Sequence, residues 1–110
     1  MNRAYYSNFI NDFIIEDTNS IYGKISGQYD LNKLTIQQSN AWKSQIKILK
    51  QTISNFHGKI YFEFTIPRMG KRVDNILIID NCIFVLEFKI GSHDYDKHAI
   101  EQAFDHGLDL

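Results

Sequence analysis

The sequence has almost no cysteine, no long hydrophobic run and no excess of charge of either sign. Cys82 is the only cysteine among the 110 residues, which excludes an internal disulfide and a zinc site built from several cysteines. Charged residues interrupt every apolar run well before the roughly 18 residues that a membrane-spanning helix needs. The first residues also lack the apolar core of a signal peptide. We therefore expect a cytoplasmic protein with no membrane partner.

The near-neutral charge limits the ways in which this chain can meet nucleic acid. A net charge of -1 is not that of a general nucleic-acid coat protein, so contacts with phosphate must come from local basic patches or from metal ions. The sequence lacks a GxxxxGK[ST] phosphate loop, which excludes helicase activity within it. The remaining composition, 44% hydrophobic and 23% charged, predicts one folded domain over 1–110.

Hydrophobic periodicity predicts two helices in the first half of the chain. A spacing of about four residues indicates one helix over about 3–15, and the glycine- and asparagine-containing segment 16–34 is expected to form a loop. The second helix is predicted to begin at a capping box formed by Thr35 and Gln38. It is expected to end at Gly58, because glycine can adopt the left-handed conformation that ends helices.

Residues with high strand propensity dominate the chain after the second helix. They predict three strands joined as two hairpins, at 59–67, 72–79 and 82–90. Helical spacing returns over about 95–110. The predicted fold is therefore α+β, a three-stranded antiparallel meander flanked by helices.

The expected turns set a register that brings acidic residues together. A two-residue turn in the second hairpin pairs Asp74 directly with Glu87. A four-residue loop at 68–71 in the first hairpin places Thr65 opposite Asp74 and Glu63 one diagonal step away. In this register the other face of the sheet is apolar except for Asn75. That apolar pattern is independent support for the register.

The paired acids suggest a metal site. Like charges on neighbouring strands, with Cβ atoms about 5 Å apart, are destabilising unless they are neutralised, and Mg²⁺ prefers oxygen ligands. Lys89 lies on the same predicted face as Glu87, where it could orient the attacking water or stabilise phosphate charge. Alternatively, Asp74 and Lys89 are solvated residues at strand ends, and Glu87 pairs locally with Lys89 or Arg72. The apolar run 83–88 around Glu87 favours the functional interpretation.

These residues resemble a known signature. Asp74, followed thirteen residues later by Glu87-Phe88-Lys89, resembles the motif of the PD-(D/E)xK nuclease superfamily. The predicted order of elements is similar to the restriction-endonuclease-like αβββαβ core of that superfamily through its second helix. The resemblance implies that Asp74 and Glu87 bind Mg²⁺ or Mn²⁺ and that Lys89 assists hydrolysis of a phosphodiester.

A narrower resemblance extends over about 40–110. The stretches 62–68, 70–74 and 85–89 resemble the N-terminal nuclease-like region of bacterial nuclease-helicase fusion proteins of the Schlafen-like helicase group. That likeness implies a helicase domain following in a longer form. Because the chain ends within a predicted helix and lacks the superfamily's final strand, we expect a C-terminally truncated fragment. Its open edge favours a homo-oligomer or a missing partner.

Three further residues are candidates for the site. Gln102, on the predicted last helix, could reach the site or DNA. Four residues later, His106 stands where RecB-like nucleases carry tyrosine. It is an equal alternative that Gln102 is simply an exposed glutamine on a helix. Glu63 is a candidate third catalytic acid on geometric grounds. Glu16 could supply an acid from the first helical region. Asp74 also follows Val73 rather than the proline of the motif.

A basic cluster surrounds the first hairpin turn. Arg68, Lys71 and Arg72 could neutralise phosphates near the metal, although basic hairpin tips are often simply solvated. The sequence thus predicts a metal-dependent nuclease domain that acts on nucleic acid, with DNA expected over RNA. The alternative is a catalytically inactive module of the same fold that binds nucleic acid or a partner protein.

Overall fold

The frame of this mixed α+β fold is an antiparallel sheet whose strands lie side by side in chain order. The computed structural model describes residues 3–88 in full and, for Lys89 and 99–104, the backbone alone. Two hairpins form the middle of the sheet, and one further strand extends it on each side. The strands are β1 (Tyr6–Phe9), β2 (Gly58–Ile66), β3 (Lys71–Ile79), β4 (Cys82–Lys89) and β5 (Ala99–Phe104).

Three helices precede the central hairpins. They are α1 (Ile10–Ile15), α2 (Thr18–Ser26) and α3 (Ile36–Thr52), with a 3₁₀ turn at Leu31–Lys33. None of the helices in the described residues is both long and apolar enough to cross a membrane. The antiparallel α+β class predicted from the sequence is confirmed, whereas the restriction-endonuclease-like assignment stays a prediction.

The helix predicted over 3–15 is wrong in its first half. Only α1 is helical, and β1 pairs antiparallel with β2, with Tyr6 opposite Phe62. The side chain of Asn8 accepts the Phe9 N–H at 2.9 Å, a local hydrogen bond that competes with helix formation. Pairing with β2 supplies the remaining backbone partners, so tertiary structure overrides the four-residue spacing.

The loop predicted over 16–34 is also wrong, because α2 lies within it. Asp17 caps this helix by accepting two backbone N–H groups, and Ile21 and Ile25 are fully buried one turn apart. Gly23 obscured this short pattern in the sequence. It lies on an open part of the helix, where even a Cβ atom would meet nothing within 4 Å.

The predicted start of α3 is confirmed and its predicted end is wrong. Thr35 Oγ1 accepts the Gln38 N–H at 3.0 Å, as an N-cap residue does. The helix ends at Thr52 rather than at Gly58, which begins β2. Phe56 is 48% exposed and does not extend the buried stripe of α3.

The helix predicted over about 95–110 is wrong where the structure describes it. Its middle part is strand β5, which pairs antiparallel with β4 from Lys89 opposite Ala99 onwards. The free edge of β4 offers a full row of backbone partners, and this overrides the local helical spacing. The rest of the predicted helix, 95–98 and 105–110, lies outside the described residues.

The second hairpin has the predicted register. Its turn is Asp80–Asn81, and both residues have positive φ (50° and 66°), as a two-residue hairpin turn of type I′ requires. Backbone pairs run outward from this turn to Asn75 opposite Leu86.

The first hairpin is shifted by two residues from the prediction. The turn is formed by Pro67–Gly70 instead of 68–71, and its final glycine has φ 59°. Consequently Glu63, rather than Thr65, lies level with Asp74. A two-residue shift keeps each side chain on its predicted side in a regular strand.

Buried residues form two clusters on opposite faces of the sheet. The first joins the three helices to one face, and it includes Trp42, Ile46 and Phe62. The second contains no helix residue among those described. Its buried members are Phe64, Ile66, Val73 and Ile76.

The β2–β3 hairpin changes face at Glu63. This residue has φ 53°, which is rare for a residue other than glycine in a strand. Before it, Phe62 packs in the first cluster; after it, Phe64 packs in the second, as does Val73 opposite. The prediction of one continuous apolar face along this hairpin is therefore wrong.

Candidate functional site

Asp74 lies where the pairing of β3 with β4 stops. The final backbone pair joins Asn75 and Leu86, and Asp74 and Glu87 are the next positions in that register. Oδ2 of Asp74 accepts the backbone N–H of Phe88 at 2.7 Å. The carboxylate thus takes the place of a strand carbonyl and contacts the segment that carries Glu87 and Lys89.

The surroundings of Asp74 disfavour its ionised form. Burial raises the pKa of this carboxyl, while the Phe88 N–H and the charge of Lys71 lower it in part. Additional positive charge near the carboxylate would favour its ionised form. Such a position is typical of functional acids, although structural ion pairs produce the same effect.

Glu63 is buried and lies level with the half-buried Asp74 on the neighbouring strand. It is 8% exposed. Burial, followed by the negative charge of Asp74, raises the pKa of Glu63 to about 7; the charge of Arg72 and the hydrogen-bonding groups of Trp42 and Arg72 act in the opposite direction. The two acids are electrostatically coupled across β2 and β3.

Arg72 and Trp42 surround the Glu63 carboxyl. Nε of Arg72 lies 3.2 Å from Oε1 of Glu63, and its guanidinium lies 4.9 Å above the centre of the Tyr5 ring. Trp42 is fully buried, and its Nε1 lowers the pKa of Glu63 without reaching full hydrogen-bond geometry. Sequence reasoning missed both partners. The apolar neighbours of Glu63 in β2 were the available signal that its charge needed them.

The predicted basic cluster is exposed at the first hairpin turn. Arg68 and Lys71 are exposed, and Lys71 is close enough to lower the pKa of Asp74. Arg72 is partly exposed, but its guanidinium already pairs with Glu63. A role for these three residues in phosphate binding stays a prediction.

Glu87 and the two remaining candidates are described to different extents. Glu87 is partly buried, and its Oε1 is shielded from solvent. Lys89 belongs to β4, but its side chain lies outside the described part of the structure. Gln102 lies on strand β5, opposite Leu86, so its predicted position on a helix is wrong; its side chain also lies outside the described part.

The donor atoms at Asp74 and Glu87 suit a hard divalent cation. Within the described residues, no three histidine, cysteine, aspartate or glutamate side chains are grouped so as to hold a metal ion. Glu63 therefore does not complete a three-acid metal group with Asp74 and Glu87. Two carboxylates fit Mg²⁺, which commonly binds one or two protein acids and keeps several waters.

Glu16 belongs to a separate polar cluster. Its carboxylate accepts hydrogen bonds from Tyr6 (2.5 Å), Lys24 (2.7 Å) and Ser20 (2.8 Å), which link β1 to α2. Burial alone would raise the pKa of Glu16, but these three partners outweigh it and lower the pKa to about 2. None of its hydrogen-bond partners belongs to the Asp74 site, so the structure does not bring the predicted extra acid there.

Comparison with protein-family models, curated proteins and solved structures found no match to this chain. The geometry of the site and the sequence signature are therefore the basis for any functional assignment.

Proposed function

We propose that this domain is a metal-dependent nuclease that hydrolyses phosphodiester bonds in nucleic acid, with DNA favoured over RNA. The observation that supports the proposal best is the 2.7 Å hydrogen bond from the Phe88 N–H to Asp74. It ties one acid of the signature directly to the strand segment that carries the other acid and the lysine.

In this proposal Asp74 and Glu87 hold Mg²⁺ or Mn²⁺. The ion supplies Lewis-acid activation of the phosphate and its attacking water. Lys89 orients that water or stabilises phosphate charge. The raised pKa of Asp74 supports the proposal, because a partly buried acid whose charge is disfavoured is stabilised when a cation binds.

A cleavage assay with matched variants tests this function. Single- and double-stranded DNA and RNA are incubated with the full chain and Mg²⁺ or Mn²⁺, with and without chelator. Asp74→Asn should abolish cleavage, whereas Asp80→Asn, the same change at the exposed turn of the same hairpin, should leave it intact. Cleavage that persists in chelator or in Asp74→Asn would refute the proposed mechanism.

A catalytically inactive binding module is the second candidate. The observation that favours it is that both acids already have partners in the protein: Asp74 accepts the Phe88 N–H, and Glu63 pairs with Arg72. Under this alternative the full chain binds nucleic acid or a protein in chelator and cleaves no substrate with any of the metals.

A further inference from the structure

Positive charge is concentrated in one part of the chain. Residues 31–62 contain five lysines and no aspartate or glutamate, whereas all thirteen acidic residues lie elsewhere. The net charge of -1 therefore conceals a strongly basic segment. Helix α3 lies within it and is positively charged without a single acidic residue.

The lysines of α3 share one side of the helix. Lys43, Lys47 and Lys50 recur at spacings of four and three residues, which aligns them along the helix, and we call them the lysine face. Lys43 and Lys47 are exposed. Both line a shallow groove of about 340 Å³ that is otherwise lined by amide and hydroxyl side chains, those of Thr18, Asn40 and Ser44.

The lysine face lacks the features that stabilise an ordinary solvated helix. Exposed helices commonly pair glutamate with lysine four residues later, and like charges at that spacing are destabilising. No acid of the described residues forms an ion pair with Lys43, Lys47 or Lys50. The Lys50 ammonium already donates a hydrogen bond to the Glu16 carbonyl. Lys43 and Lys47 are therefore the two charges of this face that are open to a partner from solution.

The acids next to the groove are already engaged. Asp17, adjacent to Thr18, caps α2 through two backbone N–H groups, and the Glu16 carboxylate binds Lys24. Lys43 is held with its ammonium 4.8 Å from the centre of the Tyr22 ring, a contact that leaves its charge available to a partner in solvent. The groove therefore offers oriented positive charge with hydrogen-bonding groups beside it.

We propose that the lysine face of α3 binds the phosphate backbone of nucleic acid. The choice of partner rests on the proposed function and extends it by naming a second contact surface. Lys43 and Lys47 lie about 6 Å apart along the helix axis, and one strand of a duplex presents a phosphate about every 3.4 Å, so each of the two lysines can meet its own phosphate. Amide and hydroxyl groups commonly accompany lysine in such contacts.

A membrane surface is a poorer partner for this helix. A helix that lies in a membrane interface needs a free apolar side. The apolar side of α3 is buried in the protein core, where Trp42, Ile46 and Leu49 are 0–1% exposed. An anionic surface that accepts charge and hydrogen bonds without apolar insertion is the better fit.

Binding of fluorescent DNA and RNA by the full chain tests the proposal. Anisotropy is measured in chelator over a range of salt concentrations, so that cleavage plays no part. The variant Lys43→Gln with Lys47→Gln is compared with Lys33→Gln with Lys59→Gln, which removes the same charge from exposed lysines outside α3. The lysine-face variant should bind duplex about ten-fold more weakly at low salt, with a salt slope smaller by about 2, whereas the control pair should change little.

The outcomes separate this proposal from the nuclease assignment. Equal losses in the two double variants, or no loss in Lys43→Gln with Lys47→Gln, would overturn it. So would binding to polyglutamate or to phosphatidylserine vesicles without binding to nucleic acid. Loss of binding in Lys43→Gln with Lys47→Gln, together with cleavage by the parent chain that Asp74→Asn abolishes, supports both assignments. The same loss of binding without cleavage by the parent chain supports the lysine face and refutes the nuclease assignment.

Discussion

The guanidinium of Arg72 lies 3.2 Å from the carboxyl of Glu63, at the one position where the β2–β3 hairpin changes face. Arg72 is 41% exposed while Glu63 is 10% exposed, measured on their side chains. The pair therefore lies at the boundary between solvent and core, where solvent screens the arginine and weakens its effect on the buried acid.

Replacing Glu63 should change how stability depends on pH. Its pKa is raised from 4.5 to about 7, so the folded state holds the proton more tightly than the unfolded chain. This contribution is fully present below about pH 4.5 and is lost as pH rises through about 7. Glu63→Gln has no titrating carboxyl at this position, so its stability should not fall in this way as pH rises. We expect the free energy of unfolding of the variant, measured in urea, to rise relative to that of the parent by roughly 3 kcal/mol between about pH 4 and pH 8.

The matched control for Glu63→Gln is Asp80→Asn, which alters an exposed acid. Its pH profile should follow that of the parent. If the pH profile of Glu63→Gln also follows that of the parent, Glu63 is ionised in the folded protein at neutral pH and its coupling to Asp74 is weak.

Variants of Asp74 should separate its structural role from its charge. Asp74→Asn keeps an oxygen that can accept the Phe88 N–H, so stability in chelator should change little. Asp74→Ala leaves that N–H without its partner and should cost about 1–3 kcal/mol. Chemical denaturation measures both. Equal stability of the alanine and asparagine variants would show that the hydrogen bond has no net effect.

Divalent metal should stabilise the protein and support cleavage through different residues. At an ion concentration of about 100 times Kd, binding to the folded state adds about 2.7 kcal/mol, which a thermal shift detects. Glu87→Gln should lose both the thermal shift and cleavage. Lys89→Ala should keep much of the shift and lose turnover, because lysine acts on water or phosphate rather than on the ion. Parallel loss of both effects in Lys89→Ala would contradict this division of roles.

Glu16 should contribute stability that disappears in acid. Its pKa is lowered from 4.5 to about 2, so its contribution is present above about pH 4.5 and is lost as pH falls through about 2. Glu16→Gln should cost roughly 2 kcal/mol at neutral pH, and the difference from the parent should shrink towards pH 2. Tyr6→Phe removes the hydrogen bond donated to Glu16 and the one accepted from Asn8 but leaves the carboxylate, so it should cost about 1–2 kcal/mol. An unchanged acid transition in Glu16→Gln would exclude this role.

Local patterns were sufficient to predict the middle of the molecule. The alternation in β3 and β4 and the Asp80–Asn81 turn fix the second hairpin, because a one-residue slip would exchange its faces. Thr35 similarly marks the start of α3. The approach of Asp74 to the Glu87–Lys89 segment follows from that register.

Elements that depend on distant partners could not be predicted. Strands β1 and β5 have local spacings that suit helices, and their backbone pairing with β2 and β4 decides otherwise. Whether Glu63 or Thr65 lies level with Asp74 depends on which four residues form the first turn. No sequence signal marked the left-handed backbone of Glu63, since glycine is the residue that usually takes that conformation.

The change of face at Glu63 means that the two ends of the central hairpin are covered differently. The end near the helices is packed in both cores, since Leu77 belongs to the first and Ile76 to the second, whereas the end that carries Phe64 and Val73 is buried in the second alone. Amide hydrogens of the outer end should therefore exchange with solvent faster than those near the helices, because only one core holds the outer end. Glu63 and Asp74 lie where this change of cover occurs, so local opening of the outer end would expose both acids to solvent and leave the helical core intact.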